Sequence, residues 1–121
     1  MKLRIQGNSV RIRLKQSEMA QFGAAGRVED RVELGLSAAL VYVVESTADV
    51  DAVALDFDGG RILVRLPTPV AETWTRSDRV AIEAEIPTVS GRLRLLLEKD
   101  FQCLHREPTG DVGDYFPHPE A

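Results

Sequence analysis

Residues 7–22 read GNSVRIRLKQSEMAQF and residues 59–74 read GGRILVRLPTPVAETW. With a shift of 52 positions the likeness extends without a gap, residues 2–34 lying on residues 54–86. Seven positions are identical across that span: Leu3/Leu55, Gly7/Gly59, Arg13/Arg65, Leu14/Leu66, Arg27/Arg79, Val28/Val80 and Glu33/Glu85. Ordinary residue usage gives roughly two. Ile5/Phe57, Val10/Ile62, Ile12/Val64, Phe22/Trp74 and Leu34/Ile86 keep an apolar residue in place of an apolar residue. The chain reads as an internal duplication, so the grammar of one copy sets the fold of both.

Each copy opens with two alternating runs, KLRIQGNSVRIRL and VALDFDGGRILVRL, joined at Gly7-Asn8 and Gly59-Gly60. These dipeptides tolerate the positive φ of a tight β-hairpin turn. A short helix follows in QSEMAQFGAAG and TPVAETWTRSD. Ser17 and Thr68 are expected as N-caps, Pro69 in the first turn, and Gly23 and Gly26 at the end of the first helix. Met19 with Phe22, and Val70 and Ala71 with Trp74, recur at helical spacing and should face the sheet, Trp74 as a core residue. RVEDRVEL and RVAIEAEI supply a third strand in each copy, with Val28, Val32 and Leu34, and Val80, Ile82, Ala84 and Ile86, on one face. SAALVYVVES and GRLRLLLEK close the two units.

The expected fold is α+β, a β-β-α-β-β unit repeated with approximate two-fold symmetry into a mainly antiparallel sheet or barrel-like assembly with two short helices. One domain should cover residues 1–105, built of repeats 2–47 and 54–100 with STADVDA as connector, and residues 106–121 should form an irregular tail rich in Pro, Gly and Asp. A chain of 121 residues is long enough for a core that needs no staples.

Composition narrows the classes. Hydrophobic content of 44% and charged content of 28% are those of a folded globular chain. MKLRIQGNSV alternates polar and apolar residues and lacks the apolar run of a signal peptide, and AALVYVV is far short of a membrane helix. The single cysteine, Cys103, suits a reducing compartment, so a cytoplasmic protein without membrane contact is expected. A net charge of −4 argues against a nucleic-acid partner while leaving room for a local basic patch.

The polar half of the alternation carries the candidate binding residues. Arg11, Arg13 and Lys15, then Arg27, Glu29, Arg31 and Glu33, fall opposite the apolar positions, as do Arg65, Arg79, Glu83, Glu85, Arg92, Arg94 and Glu98. On a solvated sheet such charges pair across strands for roughly 0.2–1 kcal/mol each. If the sheet instead curled into a barrel, arginines could grip phosphates and glutamates could hold Mg²⁺ or Mn²⁺. IEAEI at 82–86 resembles half of the Glu-x-Glu-x-Lys strand of the triphosphate-tunnel (CYTH-like) phosphatases, with Pro87 standing where the lysine would be. That alternative, a metal-dependent phosphohydrolase, requires Arg13, Arg65, Glu83 and Glu85 to converge in one cavity. The first expectation is a non-catalytic binding module, meeting an unidentified protein partner or a second copy through its charged face or an edge strand.

Other chemistry is sparse. Cys103 and His105 stand two apart, yet no further Cys or His pair completes a zinc set, and Cys103 reads as a small apolar residue. DGGR lacks the Lys-Ser/Thr of a phosphate-binding loop, and Asp111 with Asp114 is only a fragment of a calcium loop. No catalytic residue, metal ligand or cofactor is expected. Tyr115-Phe116 reads as an aromatic anchor for the tail.

MKLRIQGNSVRIRLKQSEMAQF, LLLEKDFQCLHRE and the closing DYFPHP resemble a family of short uncharacterised bacterial proteins of about this length, marked by KLRIxGNSVRIRL at the start and LEKDFxCL near the C-terminus. The resemblance implies a bacterial, intracellular, single-domain protein with a domain of unknown function and no assigned substrate. It also singles out Glu98, Lys99, Asp100 and Cys103 as a C-terminal motif, with a structural end-cap as the simpler role.

Overall fold

A computed structural model of the protein describes residues 1–100. In chain order the elements are β1 (Lys2–Ile5), β2 (Ser9–Leu14), α1 (Gln16–Ala25), β3 (Arg27–Glu33), β4 (Ala39–Thr47), β5 (Ala54–Asp58), β6 (Arg61–Pro67), α2 (Thr68–Arg76), β7 (Ala81–Pro87) and β8 (Arg92–Lys99). The fold is α+β, with the β-β-α-β-β order occurring twice.

The opening hairpins form at the two glycine dipeptides, by different turns. Gly7 has φ 58° and Asn8 has negative φ, the pattern of a type II′ turn, and Gln6 and Ser9 exchange backbone hydrogen bonds of 3.1 Å. Gly59 and Gly60 both have positive φ, 59° and 76°, the pattern of type I′. Gly60 is further constrained, because a Cβ there would stand 3.0 Å from the Ala39 carbonyl oxygen, whereas one at Gly7 would meet nothing within 4 Å.

The helices start earlier than the Ser17 and Thr68 caps anticipate. Lys15 precedes the first turn of α1, and the Glu18 carboxylate accepts its backbone N–H at 2.8 Å, which leaves Ser17 inside the helix. Pro67 occupies the corresponding place before α2, Thr68 being the first helical residue and Pro69 lying in the first turn. Gly26 ends α1 in the left-handed conformation, its N–H donating to the Phe22 carbonyl at 2.7 Å. Gly23, expected as a stop, lies within the helix, and a Cβ there would reach Thr75 of α2 at 3.7 Å. It marks where the two helices pass.

Beyond the helices the 52-residue shift no longer holds. Residues 77–80 separate α2 from β7, while Gly26 alone separates α1 from β3. Ile82 therefore takes the buried place matching Val28, and Val80, expected in the strand, is 45% exposed outside it. Val80 serves through its carbonyl, which accepts the Trp74 indole N–H at 3.2 Å and the Lys99 N–H at 3.0 Å. Val32 and Leu34 are likewise exposed rather than buried, 42% and 59%, because they run past the core toward the β3–β4 turn.

Two four-stranded sheets result, ordered β1-β2-β8-β7 and β3-β4-β6-β5, with no closed barrel. Four of the six strand pairings are antiparallel, and the central pairs β2–β8 and β4–β6 are parallel. Each helix carries the chain from one sheet to the other, so each repeat places its first hairpin in one sheet and its second hairpin in the other. Neither repeat owns a sheet. The inner faces of both sheets and the buried sides of both helices share one core, including Ile12, Leu14, Val44, Val64, Leu66, Leu95 and Leu97. Phe22 and Trp74, equivalent in the two repeats, meet edge to face with centroids 6.0 Å apart at the helix crossing.

The α-amino group of Met1 links the sheets through charge. It pairs with Glu18 of α1 and, at 3.0 Å, with Asp30 of β3, while the Tyr42 hydroxyl of β4 donates to the Met1 carbonyl at 3.1 Å. Burial works against the ammonium, but hydrogen bonds and charge from Glu18 and Asp30 outweigh it and raise its pKa above the ordinary 8.0. The same ammonium, with the Arg31 N–H, holds Asp30 below the ordinary 3.8.

Two expectations follow for stability. Gly60→Ala should lose the 1–2 kcal/mol or so of a left-handed alanine plus the cost of displacing Ala39, and Gly59→Ala, where a Cβ would meet nothing within 4 Å, only the former; equal midpoint shifts in urea would contradict this. A raised ammonium pKa stabilises below the unfolded value and is lost as pH rises through the folded one. A lowered carboxylate stabilises above its unfolded value and is lost as pH falls. Thermal melting should therefore weaken above about pH 8 and below about pH 4, and Asp30→Asn should flatten both limbs. Limbs unchanged in that variant would show that other groups set them.

Candidate functional site

Period-2 alternation sends Lys2 and Arg4 of β1, Arg11 and Arg13 of β2, Arg92 and Arg94 of β8, and Glu83 and Glu85 of β7 to the face of the first sheet turned away from the core, where Glu98 of β8 joins them. Six of the seven charged-face candidates, all but Arg65, thus share one surface. Arg65 lies on the outer face of the other sheet, so the convergence of Arg13, Arg65, Glu83 and Glu85 that a tunnel requires does not occur.

Register decides what this face can do. Across β1 and β2, Lys2 stands directly opposite Arg13 and Arg4 directly opposite Arg11. Like charges facing each other across a ladder destabilise the pairing. Two carboxylates answer them: Glu98 Oε1 lies 3.0 Å from Arg13 Nε and 3.5 Å from Arg11 Nε, and Asp100 lies 3.2 Å from Lys2 Nζ. Arg92 pairs with Glu85 at 2.6 Å. Against six cations the described residues at this face offer four carboxylates, Glu83, Glu85, Glu98 and Asp100, and Arg4 too is engaged in an interaction.

The duplicated hairpin is an internal control. At the positions of Lys2, Arg4, Arg11 and Arg13 it carries Ala54, Asp56, Leu63 and Arg65, and Arg65 is neutralised by Asp56 at 2.7 Å. On the same outer face Arg27 pairs with Glu29 and with Glu45, both at 2.9 Å, and these partners raise the arginine's pKa, the Glu29 hydrogen bond first, against a smaller effect of burial. This second face pairs its charges across strands, as alternation suggests, around Val43, which is fully buried on it. The first is a cation field.

The field is concave. A cavity of about 300 Å³ is lined by Lys2, Leu3, Arg4, Arg11 and Arg13. A second, of about 240 Å³, shares Arg4 and Arg11 and adds Arg94, Gln6, Ser9 and Glu83 among its walls. Lys2 and Arg4 escaped the sequence reading, although a two-residue turn at residues 7 and 8 sets them opposite Arg13 and Arg11.

Of the C-terminal motif, Glu98 belongs to this face. Lys99 and Asp100 fasten the end of β8: Lys99 Nζ donates to the Ser77 carbonyl at 2.8 Å and the Asp100 N–H to the Leu14 carbonyl at 2.7 Å. Cys103, His105, Asp111, Asp114, Tyr115 and Phe116, with the proposed tail, lie outside the described residues. Among the described residues no three His, Cys, Asp or Glu side chains gather as a metal site, and no helix is long and apolar enough to cross a membrane.

The model of DUF7009, a family of unknown function, matches residues 1–120. The chain belongs to this family. No curated protein and no solved structure matches it. Membership assigns no activity, so the chemistry of the cationic face has to speak for itself.

If apposed cations are what strains the first hairpin, relieving one should not harm the fold. Arg11→Leu, which installs the residue of the duplicate position, is expected to hold or raise stability by up to about 1 kcal/mol, since Arg13 retains Glu98. A clear drop in melting temperature would mean that Arg11 is structural.

Proposed function

We propose that the protein is a non-catalytic binding module that takes an acidic ligand on the outer face of the β1-β2-β8-β7 sheet, in the bacterial cytoplasm. The observation that carries this reading is the pair of like-charged cross-strand positions, Lys2 opposite Arg13 and Arg4 opposite Arg11. The duplicate hairpin carries no like-charged pair there: Arg65 stands opposite Ala54 and Asp56 opposite Leu63, and Arg65 pairs diagonally with Asp56 at 2.7 Å. Cations crowded on a concave surface are a standing demand for an anion. The overall charge of −4 makes the face stand out further, because it draws an acidic ligand to a protein that as a whole repels one.

The surroundings suit binding rather than turnover. Among the described residues of the face, Glu85 and Glu98 are held in ion pairs by arginines, while guanidinium groups are strong, oriented donors to oxyanions. Binding by such a surface falls steeply with salt. The wild-type protein is expected to be retained on a heparin matrix at 50 mM NaCl and to elute as salt rises, despite its net negative charge. Arg11→Leu/Arg13→Leu should pass through unretained while melting cooperatively. A wild-type protein that is not retained, or a double variant that elutes with it, would remove the support for this face as the binding surface.

A further inference from the structure

We infer that the ligand of this face is a chain of linked phosphoryl groups, a di-, tri- or oligophosphate, seated across the two adjoining cavities. This rests on the binding role of the face and adds the chemistry of what binds.

Charge density is the first argument. Like-facing residues along a strand are about 7 Å apart and directly opposed residues about 5 Å apart. Lys2, Arg4, Arg11 and Arg13 therefore occupy one small rectangle, with Arg94 beyond its edge. A peptide carries one carboxylate charge per acidic side chain, spread along its length. A terminal phosphoryl group brings nearly two negative charges and three acceptor oxygens, each internal one adds a further charge and two acceptor oxygens, and linking them through bridging oxygens concentrates this within the span of the rectangle.

Donor chemistry is the second. Four of those five cations are arginines, whose planar forks match phosphoryl oxygens in pairs, whereas a lysine acts as a point charge. Arg4 and Arg11 border both cavities, which makes the two volumes of about 300 and 240 Å³ neighbouring subsites with common walls. Such an arrangement suits an anion that continues from one subsite into the next.

Glu98 supplies the third. A single carboxylate oxygen lies against the Nε atoms of both Arg11 and Arg13, at 3.5 and 3.0 Å. It shows that an oxyanion is accommodated between these two guanidinium groups, and it competes with any ligand for them. Removing its charge should therefore strengthen binding, a direction that a merely structural role would not produce.

The test is isothermal titration of the full chain, without metal and at 50 mM NaCl, with tripolyphosphate, ATP, sulfate and a Glu-rich hexapeptide. Tripolyphosphate or ATP is expected to bind at least tenfold tighter than sulfate and the peptide, the comparison of the two separating a free oligophosphate from a nucleotide tail. Glu98→Gln should tighten binding about threefold to tenfold, and Arg11→Leu and Arg94→Ala should each weaken it about tenfold. If the peptide binds as well as tripolyphosphate, the phosphate assignment falls and the cationic face remains the binding surface. If no anion binds the wild-type protein, both fall. Binding that Glu98→Gln and Arg11→Leu leave unchanged puts the ligand elsewhere and overturns the proposal.

Discussion

A two-stranded hairpin presents a row of unpaired backbone groups on each side and is marginal in water by itself. In this protein the row is met by the hairpin of the other repeat, through the parallel ladders β2–β8 and β4–β6. Everything else depends on those two seams. They align the inner faces so that Ile12, Leu14 and Leu97 from one sheet meet Val44, Val64 and Leu66 from the other in a single core. They also force the helices to cross between sheets, which brings Phe22 and Trp74 together. Asn8 secures one seam at its start, its side chain donating to the Arg92 carbonyl at 2.6 Å and its own carbonyl accepting the Arg94 N–H at 3.1 Å.

The same seam builds the cationic face. Lys2, Arg4, Arg11 and Arg13 come from the first repeat, while Arg92, Arg94 and Glu98 come from the second, more than 75 residues later in the chain. Glu98 reaches Arg11 and Arg13 only because β8 runs parallel to β2 with Arg13 in register with Glu98. Six of the fifteen Lys and Arg residues of the chain gather on this one surface, and among the other described residues acidic side chains outnumber basic ones. Charge is thus unevenly spread over the described residues, which a net charge of −4 conceals.

Hairpins, helices and the duplication were legible in the sequence because each is written locally, in glycine dipeptides and in alternation that changes period at Gln16 and Thr68. The pairing of one hairpin with another was not legible, since a strand flanked by suitable partners on several sides carries no mark of which it takes. Val80 shows a second limit. Its identity with Val28 in the shifted chain suggested a strand, yet four residues after α2 in place of one after α1 moved the buried position to Ile82. Most of the candidate face was legible as charge opposite the apolar stripe. Lys2 and Arg4 were missed although the Gly7-Asn8 turn fixes their partners by simple counting, and Arg65 was included because alternation does not say to which sheet a strand belongs.

Exchange of hairpins between repeats has an implication for how such a chain could arise. A single β-β-α-β-β unit has nowhere to pair its hairpins except with those of another copy, and two copies exchanging them would close into a symmetric pair with the same sheet orders seen here. In that ancestor both outer faces would be identical, so any cluster of cations would appear twice and any change to one would be imposed on the other. Joining the copies through the short segment after β4 releases that constraint. One face can then accumulate arginine while its twin keeps Ala54, Asp56 and Leu63. In a molecule of this design, symmetry provides the scaffold and its loss provides the specialisation.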